Sequence, residues 1–181
     1  PRTNRSFVRP AGDDRAWLAH AGVHSALGIH GQGERPLDSD FFLDLHLLGV
    51  DAEAVTGMTA EGEAHWSVVR PVPGGPWEWD PPRPGPPDER QATGKAHTFA
   101  RARAAALVGR VPLAEHGLDA PGAWATAVQG SSARTLLVGD EVPNDLDDDR
   151  QRDEHYVTVE GTGLVWTMST SAIESLMRPP E

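Results

Sequence analysis

The sequence predicts an α+β fold, with one antiparallel or mixed sheet of about five to seven strands and three or four helices mainly on one face. Three observations lead there. Apolar residues alternate with polar ones in FFLDLHLL (41–48), WSVV (66–69), YVTV (156–159) and LVWTM (164–168), the period of a half-buried strand. Between these runs lie alanine- and arginine-rich stretches with helix-ending residues, which supply the cover. Glycine (19) and proline (16) together exceed the usual share of about 12%, so the fold carries many loops.

In chain order, the first element expected is a helix over 13–27. Asp13 can cap it, Gly28 can end it, and Trp17, His20, His24 and Leu27 recur on one helical face. In 41–49, Phe41, Leu43, Leu45 and Leu47 point one way, which favours a strand. A second strand follows at 66–72, and Trp77 and Trp79 start its partner. The Pro/Gly-rich loop at 71–87 holds eight of the sixteen prolines, and PPRPGPP within it cannot be central sheet because proline donates no ladder hydrogen bond. A short strand at 91–96 comes next. A helix at 99–108 is expected to be capped by Thr98 and ended before Gly109, with Pro112 preventing restart. A shorter helix over 121–129 has proline at its start and Gly130 after it. RTLLVG (134–139) reads as a buried strand. An acidic loop at 140–154 leads into the strongest hairpin signal of the chain, HYVTVE–GTG–LVWTMS. A terminal helix runs from Ser171 to near Met177, with Ser171 and Glu174 at capping-box spacing.

The length of 181 residues suits a single domain, 1–181. No apolar run reaches the roughly 18 residues of a membrane span, and the first fifteen residues lack the apolar stretch of a secretory signal. Together these point to a small acidic soluble protein in the cytoplasm. Cysteine is absent, which removes disulfides, thiolate nucleophiles and cysteine metal sites. Fifteen of the sixteen basic residues are arginine and isoleucine is scarce, the codon signature of a high-GC genome. The net charge of −11 repels phosphate backbones, so nucleic acid is a disfavoured partner. Eight carboxylates fall within 140–154, opposed there by Arg150 and Arg152 alone.

Three groups of residues are candidates for a site. His20 and His24 have the i, i+4 spacing that brings two imidazoles to one metal on a helix, but no glutamate base lies between them. Asp145, Asp147 and Asp149 imitate the start of a calcium loop. Arg150 stands where that loop needs glycine, and Tyr156 where it needs glutamate, which favours a solvated loop. Trp77 and Trp79 share one face of a strand and could stack a ligand or clamp the neighbouring prolines. No nucleophile elbow, phosphate loop or dinucleotide fingerprint occurs, and the single lysine, Lys95, has no activating partner in sequence. The residues require no cofactor. The expectation is a non-catalytic binding or accessory protein acting through protein contacts. The alternative is a metal-dependent hydrolase or lyase built on His20 and His24, completed by Asp44 or His46.

Overall fold

The computed structural model describes residues 5–8, 17–20, 44–143 and 153–180. The chain divides into two compact units, Pro1–Leu43 and Asp44–Glu181. Within the first, β1 (Arg5–Val8) pairs antiparallel with β2 (Trp17–His20). A strand therefore stands at Trp17–His20, where the sequence predicts the middle of a helix.

The second unit is built on β3 (Val55–Glu61), β4 (His65–Val69), β5 (Glu78–Trp79), β6 (Ala106–Gly109), β7 (Ala123–Gln129), β8 (Ser132–Glu141), β9 (Glu154–Val159) and β10 (Val165–Ser169). All eight form one sheet in the order β5-β4-β3-β7-β8-β9-β10-β6, every pairing antiparallel. Two α-helices accompany it, α1 (Glu89–Ala100) and α2 (Thr170–Met177). This corrects the predicted fold class. The sheet has eight strands rather than five to seven, and the described residues hold two α-helices rather than three or four.

The differences have identifiable causes. The helix expected over 121–129 is the central strand β7, AWATAVQ. Its alanines suggest helix by propensity, but Ala125 and Ala127 are fully buried on one face while Trp124, Thr126 and Val128 take the other. Around α1 the prediction has strand and helix interchanged. Asp88 caps the helix by accepting a hydrogen bond from the Gln91 N–H at 2.8 Å, and Thr98 lies inside it, donating to the Gly94 carbonyl. The helix ends at Ala100 and the chain after it turns into β6, so no helix covers 101–108. Of FFLDLHLL, residues 41–43 lie outside the described residues. His46 makes an isolated bridge to Arg103, and no strand forms there. The β9–β10 hairpin forms where expected, as do β4, the core of β8 and the terminal helix. Ser169, rather than Ser171, occupies the N-cap of α2, with no side-chain capping bond.

Strand register puts Trp66, Ala60, Ala125, Leu136 and Val159 in one row across five strands, all buried. Both helices lie on that face. Phe99 of α1 meets Trp66 edge to face with centroids 6.0 Å apart, and the Trp66 indole donates to the Met177 carbonyl of α2 at 2.6 Å. The opposite face carries a hydroxyl row, Ser67–Thr59–Thr126–Thr135, with hydrogen bonds of 2.9 Å between Thr59 and Ser67 and between Thr126 and Thr135.

Candidate functional site

A cavity of about 640 Å³ opens where α2 ends over the sheet. Its floor is the helix-side face of the strands, at Ala123 of β7, Val138 and Gly139 of β8, and His155 of β9. The β3–β4 turn supplies Glu63 between Gly62 and Ala64. The wall comes from α2, with Thr170, Ile173, Glu174 and Met177 facing the space, and from Arg178 and Pro179 beyond the helix.

A bulge shapes this end of the sheet. The β8–β9 register shifts between Val138 and Glu141, and a 3₁₀ turn at Leu113–His116 packs against the shifted segment. A side chain at Gly139 would put its Cβ 2.1 Å from the His116 carbonyl oxygen, so only glycine fits. The Gly139 carbonyl in turn accepts a hydrogen bond from Nδ1 of His155 at 3.3 Å. A carbonyl can only accept, so Nδ1 carries the proton and Nε2 is an acceptor in the neutral ring.

Glu63 and Glu174 make no side-chain hydrogen bond or ion pair within the described residues, where the carboxylate ion pairs are to histidine: Asp44–His46 at 2.9 Å, Glu61–His65 at 3.4 Å and Glu53–His97 at 3.7 Å. The backbone N–H of His46 and then its ring hold the Asp44 carboxyl below its ordinary range. Lys95 of α1 donates to the Ser175 carbonyl of α2, tying the two helices beside the cavity. Burial, and after it the nearby Arg178 guanidinium, lower the Lys95 pKa to about 8.

The residues singled out in the sequence lie elsewhere. Trp77 is buried against α1. Its indole N–H faces Thr93 Oγ1 at 3.3 Å, its backbone N–H donates to Glu89, and the Arg70 guanidinium lies 4.5 Å from its ring centroid. Trp79 is half-buried beneath Arg83, from the proline-rich loop, at 4.8 Å. The structure thus engages both indoles with arginines. His20 is in β2, and His24 lies outside the described residues, as do Asp145, Asp147 and Asp149. Among the described residues no three His, Asp or Glu side chains come together as a metal-binding group. The sequence reading missed His155, Glu63 and Glu174 as neighbours. Glu174 carried only a helix-capping pattern, and no local signal joins Glu63 to His155 and Glu174, more than ninety positions away.

Compared with protein-family models, curated proteins and solved structures, the chain matches none of them. Among the described residues no helix is long and apolar enough to cross a membrane.

Proposed function

We propose that this chain is a cytoplasmic, non-catalytic binding protein that acts through protein contacts, and that its partner presents a basic surface. One observation supports this above others: the charge is concentrated in one unit. Residues 1–43 hold five arginines and five carboxylates, while 44–181 hold twenty-two carboxylates against eleven basic residues. The full net charge of −11 therefore belongs to the unit built on the eight-stranded sheet. Asp140, Glu141 and Asp153 are exposed where β8 ends and β9 begins, on either side of the acidic run at 144–152. Such a field speeds the approach of a basic partner and repels nucleic acid.

Affinity capture from a native lysate at low salt tests the proposal. The expected catch is a basic protein that elutes as salt approaches 1 M, where the screening length falls to about 3 Å. Recovery of no partner at low salt would defeat the reading. Elemental analysis of the purified chain tests the competing chemistry. Stoichiometric zinc, manganese, iron or nickel, lost in a His20→Ala, His24→Ala double variant, would replace a binding role with metal-dependent catalysis.

A further inference from the structure

We infer that the cavity at the end of α2 is a binding site for an aliphatic amine or guanidine, a cationic head on a short apolar stem. The space of about 640 Å³ lies in the range of small-ligand sites. Its polar groups are mainly acceptors. Glu63, exposed in the β3–β4 turn, Glu174, exposed on α2, and His155 of β9 line it, with the His155 Nδ1 donating to the Gly139 carbonyl and its Nε2 making no hydrogen bond among the described residues. Between them Ala123, Ile173 and Met177 offer apolar wall for methylene groups.

The acceptors do not converge tightly enough to form a metal-binding group, so they suit a head with several diverging N–H donors rather than a bare ion. Among the lining residues two carboxylates stand against the one guanidinium of Arg178, within a chain whose field draws cations. Arg178 lies beside Lys95 at the end of α2. It therefore opposes the bound head, and its removal strengthens binding. The site does not depend on a protein partner: the head can belong to a free metabolite or to a basic side chain.

Titration of the full chain with butylguanidine, followed at the Ile173 and Met177 methyl resonances, tests the inference. The expected result is saturable shifts at both methyls. Glu63→Gln with Glu174→Gln should weaken binding by about tenfold or more, and Glu160→Gln should leave it unchanged. Arg178→Ala should tighten it. N-acetyl-arginine amide separates the sources, since its binding admits a protein side chain, and its exclusion while butylguanidine binds points to a free amine. The inference fails if pentanoate or butanol binds as well as butylguanidine. It fails equally if the double glutamine variant binds unchanged, or if no saturable shift appears at millimolar ligand.

Discussion

The two faces of the eight-stranded sheet differ by one residue step along the same strands, yet they are built from different chemistry. On the helix-covered face the central row reads Trp66, Ala60, Ala125, Leu136, Val159, all buried. One step away the row reads Ser67, Thr59, Thr126, Thr135, and its hydroxyls bond to one another in pairs. Alanines in β3 and β7 are small enough for a helix to sit closely above them. Threonine serves the other face because its branch suits a strand and its hydroxyl finds a partner directly across. The helix-side row therefore has little tolerance for changed volume, whereas the hydroxyl row is held by polar pairs.

Two tryptophans give the sharpest contrast. Trp66 is fully buried on the helix face, and Trp124 is half-buried on the other. Trp66→Ala should cost about 3–5 kcal/mol, from lost burial and from the Met177 carbonyl it leaves without a donor. Trp124→Ala should cost about 1 kcal/mol. Urea unfolding of both variants decides the matter, and equal costs would mean that the second face is also packed as a core.

Added volume probes the same asymmetry more gently. Ala125→Leu places three extra carbons at a fully buried position in the helix-side row, and overpacking of this kind costs about 1–3 kcal/mol. Thr126→Leu, its neighbour on the half-exposed face, should change stability by less than about 1 kcal/mol. A smaller effect belongs to the hydroxyl row. A double-mutant cycle of Thr126→Val with Thr135→Val should return a coupling of about 0.5 kcal/mol. Zero coupling would show that the row is a consequence of strand propensity alone.

The same contrast explains what was legible in the sequence. The β9–β10 hairpin could be read because large apolar residues alternate around a glycine-containing turn, so period and boundary agree. In β7 the alternation is present too, but its buried side is alanine, which pattern reading takes for helix. Only the helix packed above explains why that side is small. The start of α1 was legible in principle. Asp88 followed by Gln91 is an N-terminal signature, masked by the proline-rich loop that runs directly into it. The cavity was not legible, because its acceptors come from the β3–β4 turn, β9 and α2, and only the sheet's register brings them together.

Lys95 carries the smallest expected effect and the one most specific in form. Its ammonium is half-buried between α1 and α2, bonded to the Ser175 carbonyl, with Arg178 nearby. Burial first, and the guanidinium second, lower its pKa from 10.5 to about 8. The unfolded chain then keeps this proton up to about pH 10.5, while the folded chain releases it near 8. Between those values the unfolded state binds more protons, so stability rises with pH through the window and falls again as pH drops through 8. Solvent screening keeps the gain small, since the side chain is only half-buried. Lys95→Met should remove this rise in melting temperature between pH 7.5 and 10 while leaving the rest of the pH profile in place. An unchanged rise in the variant would assign it to another group. A rise absent from both proteins would show that the ammonium is better hydrated between the helices than its burial implies.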